Sequence, residues 1–370
     1  MPKNLSLKHK IALGIIPRIG DINARKLVSH LGSVEAVFSE SYRNLIRIPG
    51  IGSELAKCIT ERSYLEKAEQ EALYVTRNNI RTYFYLDDDY PSRLRQCEDS
   101  PVMFFLKGSC DPDAPRILSV VGTRNSTSRG REICEKIIGD LAADFPGLTI
   151  VSGLAYGIDI TSHKAALANN LPTIAVLGHG LNTIYPSVHR PLAGKIAENG
   201  GLLTDFLSDT LPERNNFIKR NRIIAGISDA TLIIESGKKG GALITADIAG
   251  SYNRDVLAVP GRPGDIWSAG CNSLIKYNRA ALVESAGDVK YFLNWQPEKT
   301  GDPQQKKLFP ELGETEKSIY DLLSAGSEMT IDSICRSLDL PVFKLSAILL
   351  QLELKGLIKN CPGNIYRIAL

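Results

Sequence analysis

From Pro115 onward the chain alternates short apolar runs with longer segments in which apolar residues return every three or four positions. The runs Ile117 to Val121, Leu148 to Val151, Thr173 to Leu177, Leu202 to Asp205, Ala230 to Glu235, Val256 to Val259 and Ala281 to Val283 predict buried strands. Between them, Arg129 to Ala143, Ile158 to Ala168, His189 to Glu198, Phe217 to Ala225, Ala242 to Tyr252 and Asn272 to Tyr277 predict helices. Such alternation specifies an α/β fold with a doubly wound, mostly parallel sheet. Ligands of these sheets bind beyond the carboxyl ends of the strands, so function is expected in the loops there.

The flanks are patterned differently. Ile16-Pro-Arg-Ile-Gly20 followed by Ala24 is echoed by Ile48-Pro-Gly-Ile-Gly52 followed by Ala56. Pro and Gly make each a tight hairpin between short helices, and the amides opening the second helix can face a phosphate. The pair resembles the helix-hairpin-helix motif of a small SAM-like helical domain; Arg18 stands where the motif prefers Gly. The other reading is a helical module whose turns serve packing alone. From Arg81 to Gly108 the aromatics Tyr83, Phe84, Tyr85, Tyr90, Phe104 and Phe105 mark a connector with one short strand, its rings serving as core. The polar, Pro-bearing segment Gln296 to Gly313 reads as a linker. After it, helix-like Glu316 to Leu323, Thr330 to Leu338 and Val342 to Leu354, then a glycine-turned hairpin ending in Ile365 to Ile368, resemble a winged helix-turn-helix domain. The would-be recognition helix carries only Lys344 on its exposed face before Lys355, which suits protein contact or a structural role as well as groove reading. The expected division is 1–78 helical, 79–297 Rossmann-like with its connector, 298–312 linker and 313–370 winged helix.

Composition narrows the class. The 370 residues are 43% hydrophobic and 23% charged, as in ordinary globular protein. No run of about 18 apolar residues could span a bilayer, and the start lacks the apolar core and cleavage site of a signal peptide, so a cytoplasmic, membrane-free protein is expected. Seven scattered cysteines with no Cys-x-x-Cys pair indicate neither a disulfide framework nor a zinc site. Net charge is +3, yet residues 81–310 hold 26 Lys/Arg against 25 Asp/Glu. Any nucleic-acid contact in the central region must therefore come from a local patch.

One such patch stands out. Phe217-Ile-Lys-Arg-Asn-Arg222 puts three cations and one aromatic into six residues, just ahead of the strand at Ala230. Phosphate-binding charge beside a stacking ring is the composition of a single-strand-binding surface. Three loops add to it. Gly122-Thr-Arg-Asn-Ser126 follows the first strand: Gly122 admits close backbone approach, Arg124 offers a forked cation, and Ser126, Thr127 or Ser128 can cap the next helix with its free amides aimed at an anion. Gly153 and Gly157 bracket the second loop, where Asp159 and His163 share a helix face; with no nucleophile in evidence, they read as an N-terminal acid and a hydrogen-bonded histidine holding the loop. Gly240 and Gly241 open a helix behind Lys238 and Lys239. The Gly-x-Gly-x-x-Gly fingerprint and the P-loop pattern are absent from the first loop, which argues against NAD-dependent and NTPase chemistry, and no catalytic set, cofactor or metal is expected.

Taken in order, Val121-Gly-Thr-Arg, Ser152-Gly-Leu-Ala-Tyr-Gly-Ile-Asp with His163, Phe217-Ile-Lys-Arg-Asn-Arg-Ile-Ile-Ala-Gly and Gly240-Gly-Ala-Leu-Ile-Thr resemble the bacterial DNA processing protein family DprA, also called Smf. Val259-Pro-Gly and Gly270-Cys-Asn-Ser-Leu-Ile275 extend the likeness, which covers essentially the full chain; Thr123 replaces a frequent serine but keeps the hydroxyl. The resemblance implies an extended Rossmann-like domain that binds single-stranded DNA with little sequence preference. It also implies protection of incoming strands in natural transformation, a homodimer through that domain, and loading of the RecA recombinase over single-strand-binding protein. By the same resemblance Arg124 grips a phosphate and Phe217 stacks on a base. Arg214, Lys219, Arg220 and Arg222 line or support the basic pocket, and Asn221 bonds a base edge or a loop carbonyl. Gly122, Gly153, Gly240 and Gly241 supply amides, with Thr123, Asn125 and Ser126 completing the first loop. The rival is a nucleotide phosphoribohydrolase of related architecture, but Ala242-Leu-Ile-Thr follows Gly240-Gly241 where such enzymes carry a glutamate. A third reading makes the sheet a scaffold and the end modules duplex binders, which leaves the Phe217 cluster unexplained.

Overall fold

The computed structural model describes residues 3–296, 313–325, 328–355, 357–361 and 365–368. The chain forms two compact units, Met1–Glu298 and Lys299–Leu370. The expected linker 298–312 and the turn of the C-terminal hairpin lie outside the described residues.

The first unit begins with six helices: α1 (Lys3–Ile15), α2 (Asp21–Leu31), α3 (Val34–Ser39), α4 (Tyr42–Leu45), α5 (Ser53–Glu61) and α6 (Ser63–Arg77). The two echoed turns join α1 to α2 and α4 to α5, with Gly20 and Gly52 at the helix N-caps. Gly50 takes a left-handed backbone at φ 87, and Arg18, its counterpart in the first copy, takes φ 64 without a glycine's freedom. Arg18 compensates in part by reaching Glu54 at 2.7 Å.

The sheet domain has nine strands: β1 (Arg81–Phe84), β2 (Met103–Gly108), β3 (Ile117–Val121), β4 (Thr149–Ser152), β5 (Thr173–Val176), β6 (Gly200–Thr204), β7 (Ala230–Ile233), β8 (Asp255–Ala258) and β9 (Ala281–Leu282). Their order is β1-β2-β6-β5-β4-β3-β7-β8-β9. Strands β3 to β9 pair in parallel, whereas β1 and β2 add antiparallel at the β6 edge. The connector thus contributes two strands rather than one. Its rings pack as expected: Tyr83 stacks on Phe104 at 4.8 Å, and the buried Tyr90 hydroxyl donates to the Pro101 carbonyl at 2.6 Å.

Helices α7 (Ser92–Arg95), α8 (Ser128–Asp144), α9 (Ile158–Ala168), α10 (Arg190–Glu198), α11 (Arg214–Ile227), α12 (Gly241–Ser251), α13 (Ala269–Lys276) and α14 (Ala286–Phe292) complete the unit. From β3 the chain winds outward through β4, β5 and β6, then crosses back along α11 to β7 on the other side of β3. Connections leave β3 and β7 in opposite directions, so a crevice opens between their carboxyl ends, the switch point where doubly wound sheets hold ligands.

The second unit contains α15 (Glu314–Ala325), β10 (Met329–Thr330), α16 (Ile331–Leu338), α17 (Val342–Leu354), β11 (Ile358–Cys361) and β12 (Ile365–Ile368). Its antiparallel sheet runs β10-β12-β11. Ile319, Leu323, Ile334, Leu345, Leu349, Leu352 and Ile358 form its core. This is a winged helix, and on α17 Phe343 and Leu350 lie exposed beside Lys344.

Candidate nucleic-acid interface

At the end of β3, Gly122 is dictated by packing: a Cβ there would lie 2.5 Å from Ile158 Cγ1 at the start of α9. The Thr123 amide donates to the Glu235 carbonyl at 2.7 Å, tying this loop to the one after β7. Thr127 caps α8, its hydroxyl oxygen accepting from the Gly130 amide at 3.0 Å. The expected anion at this helix start is supplied by the protein itself. The buried Glu235 carboxylate accepts from the Thr127 amide at 2.9 Å and from its hydroxyl at 2.5 Å. An internal carboxylate on the helix dipole and capping amides leaves no place for a phosphate there. Ser126 accepts from Arg131, and the Asn125 amide donates to Thr123 Oγ1 at 3.2 Å; neither residue lines the crevice.

Arg124 does reach it. Exposed and without an ion-pair partner among the described residues, its guanidinium carbon lies 6.0 Å from the Phe217 ring centroid. Phe217, half-buried near the start of α11, fits because Gly178 has no side chain: a Cβ there would sit 2.7 Å from the ring. Tyr185 tilts against the same ring at 5.7 Å. Arg214 is the exposed first residue of α11.

Arg220 lies below the ring, 5.9 Å from its centroid and only 4% exposed. Its guanidinium donates to the carbonyls of Gly153, at 2.9 Å, and Val176. Burial pulls its pKa down to about 10, against the opposing attraction of Asp159. Burial raises the pKa of Asp159 in turn, while Arg220 and the Gly153 amide, 3.2 Å from Oδ2, favour the carboxylate. Gly153 is consequently a spacer for this buried pair, its amide engaged by Asp159, and it does not line the crevice. His163 bonds Thr173 on β5 at 2.7 Å rather than Asp159, and burial lowers its pKa to about 3, so it is neutral.

Opposite Phe217, α12 opens at Gly240 and Gly241. Gly240 is an N-cap with extended backbone and no side-chain cap, and a Cβ at Gly241 would meet nothing within 4 Å. The first turn receives no side-chain cap, the arrangement that suits an anion. The crevice so bounded has a volume of about 990 Å³, with Asn221 on its wall and Lys238 and Lys239 at its lip. Two further aromatics line it that the sequence reading did not single out for the site, Tyr185 and Trp267. Each stands alone in a Pro- and Gly-bearing loop with no cationic run beside it, so no local signal marked it.

Lys219 and Arg222 turn the other way on α11. Both line a separate cavity of about 890 Å³ against α1 and α2. Arg222 is held by Asp205 at 2.5 Å, Asp21 at 3.2 Å and the Asp99 carbonyl at 2.8 Å, which fastens the helical module to the sheet domain. Among the described residues no helix is long and apolar enough to cross a membrane.

A doubly wound sheet with a crevice at its switch point, preceded in the chain by a helix-hairpin-helix module and followed by a winged helix, defines a three-part protein of the Rossmann-like class. A family model for DNA recombination-mediator protein A matches residues 81–294, one for the DprA winged helix domain matches 302–364, and one for the helix-hairpin-helix motif matches 10–73. The chain belongs to the DNA recombination-mediator protein A family, and its role lies in DNA processing and recombination. It is 32% identical over 403 residues to protein Smf of Synechocystis sp., covering 98% of this chain and 99% of that protein. The crystal structure of DNA processing protein A from Streptococcus pneumoniae is similar at a TM-score of 0.65 and 30% identity, covering 77% of this chain and 97% of that one. DNA processing protein A from Helicobacter pylori, a protein with a single-stranded DNA binding mode, is similar at 0.53 and 26%, covering 59% and 97%.

Proposed function

We propose that the protein binds single-stranded DNA along the crevice rim, with little sequence preference, and acts as a recombination mediator. The carrying observation is the half-buried Phe217 ring lining the crevice with the guanidinium carbons of Arg124 and Arg220 at 6.0 and 5.9 Å from its centroid. A base stacks on Phe217, Arg124 and Arg214 take phosphates, and the amides at Gly240 and Gly241 take another. Asn221 is placed to meet a base edge. The site is read as non-catalytic: Asp159 is buried against Arg220, and Asp247, the other carboxylate on the crevice wall, is paired with Arg279. Family membership supports the finer reading: a homodimer through the sheet domain that shields a strand, during transformation where the host takes up DNA, and passes it to RecA.

A salt titration of binding to labelled oligothymidine, with matched duplex in parallel, tests this. Preference for the single strand, a log–log slope of about −0.7 per neutralised phosphate, and loss of both in Arg124→Ala/Phe217→Ala are expected. The same variant fails to restart RecA ATPase on a strand coated with single-strand-binding protein. Duplex preference, or full strand affinity in the variant, overturns the proposal.

A further inference from the structure

Beside the rim lies a second concavity of about 410 Å³ between α9 and α10, walled by Ile160, Lys164, Leu192 and Lys195 and with Tyr156 and Val188 at its mouth. Tyr156 is 49% exposed and Val188 65%, a large apolar surface for one loop and one turn to leave in water. The wall carries two lysines and no carboxylate. Both lysines are exposed, and neither has an ion-pair partner among the described residues. The Tyr156 ring is fixed edge-on by His189 at 4.9 Å, and His189 is itself held by the Leu154 carbonyl at 2.8 Å.

Two short pieces of chain link this concavity to the rim. Tyr185, which leans on Phe217, is followed after three residues by Val188 and His189 of the second concavity. In the loop after β4, Ala155 lines the crevice and its neighbour Tyr156 the concavity. Four residues reach at most about 14 Å, so the two aromatic platforms are close enough for one extended strand to cover both.

We propose that single-stranded DNA leaving the crevice past Tyr185 continues onto Tyr156, where a further base stacks and Lys164 and Lys195 neutralise the flanking phosphates. An exposed, oriented ring in one concavity with unpaired cations is the arrangement that tracks a strand without reading its sequence. Glu198, one turn beyond Lys195, is exposed but off the wall and sets the outer limit of the path. The inference rests on the reading of the rim as a strand-binding surface and extends the length of strand it holds.

The test is fluorescence anisotropy on the full chain with labelled oligothymidines of increasing length, comparing wild type, Tyr156→Ala, Tyr156→Phe, Lys164→Ala/Lys195→Ala and Arg124→Ala/Phe217→Ala. The shortest oligonucleotides that bind at all should be held equally by wild type and by the Tyr156 and lysine variants. Longer ones should lose roughly tenfold in Tyr156→Ala, within the range of one stacked base, and be restored by Tyr156→Phe. The lysine pair should make the salt slope shallower by about 1.4, two phosphates' worth, for long oligonucleotides alone. Wild-type affinity and slope at every length in both sets of variants overturns the extension, while impairment of Arg124→Ala/Phe217→Ala still upholds the rim. Should the rim variant bind normally and only the Tyr156 and lysine variants fail at all lengths, the rim reading falls and with it this continuation.

Discussion

Gly153→Ala isolates the buried pair beneath the Phe217 platform. A methyl there would lie 2.5 Å from Arg220 Nη1 and 2.7 Å from both Nη2 and Asp159 Oδ2, well inside van der Waals contact. The guanidinium cannot swing into water, being 4% exposed and bonded to the Gly153 and Val176 carbonyls. Overpacking of this kind costs about 1–3 kcal/mol, and each hydrogen bond lost from a buried charge adds about 1.5–3 kcal/mol. A net loss of about 3–5 kcal/mol is expected, a large part of a domain's usual stability. Gly241→Ala is the matched control: with nothing within 4 Å of its Cβ and φ outside the left-handed region, it should be neutral or stabilising by up to about 1 kcal/mol. Urea unfolding followed by tryptophan fluorescence reads the first unit alone, because Trp267 and Trp295 are the chain's two tryptophans. A Gly153→Ala midpoint corresponding to less than about 0.5 kcal/mol of destabilisation, the scatter of unremarkable surface changes, would refute the assignment of Gly153 as spacer for Arg220.

Three further outcomes follow from the same geometry. Arg222→Ala strands the buried Asp205 carboxylate and should cost about 3–5 kcal/mol, whereas the exposed Arg124→Ala should stay within about 0.5 kcal/mol of wild type; the same unfolding assay separates them. Arg18→Gly relieves a left-handed backbone worth about 1 kcal/mol at the loss of only an exposed ion pair, so it should raise stability slightly; a fall would mean that the Glu54 contact outweighs the strain. His163 is kept neutral by burial, with a pKa of about 3 against 6.5 unfolded, so the unfolded chain protonates first. Its contribution is complete above pH 6.5 and is lost at about 1.4 kcal/mol per pH unit as pH falls toward 3. Stability of wild type relative to His163→Gln, measured from pH 7 to 4, should decline with that slope; a flat difference would show that His163 takes up its proton in the folded state.

The parallel core of the fold was legible because its strands are buried runs between turn signals, and boundaries such as Ile158–Ala168 and Val342–Leu354 follow from periodicity alone. The antiparallel edge was not. Met103-Phe-Phe-Leu106 is an unbroken apolar run ahead of the exposed Lys107, without the alternation that marks a half-exposed antiparallel strand, and its pairing with β6 spans nearly a hundred residues of sequence. Helix α11 begins three residues earlier than the periodicity indicated, since Arg214-Asn-Asn216 is polar and Glu213 makes no side-chain cap. Which cations face the crevice is a matter of helical phase: Arg214, Phe217 and Asn221 recur at three and four residues on one face, while Lys219 and Arg222 fall on the next. The Glu235 carboxylate at the α8 N-terminus could not be foreseen from the first loop, because it comes from the loop after β7, more than a hundred residues later.

Photo-crosslinking of 4-thiothymidine-substituted single strands to the full chain, with adducts mapped by mass spectrometry, tests the central claim most directly. Adducts on the Phe217, Tyr185 and Trp267 peptides, lost in Arg124→Ala/Phe217→Ala, are the predicted result. Adducts confined to residues 3–77 or 313–370, unchanged in that variant, would place DNA on the end modules and contradict the account.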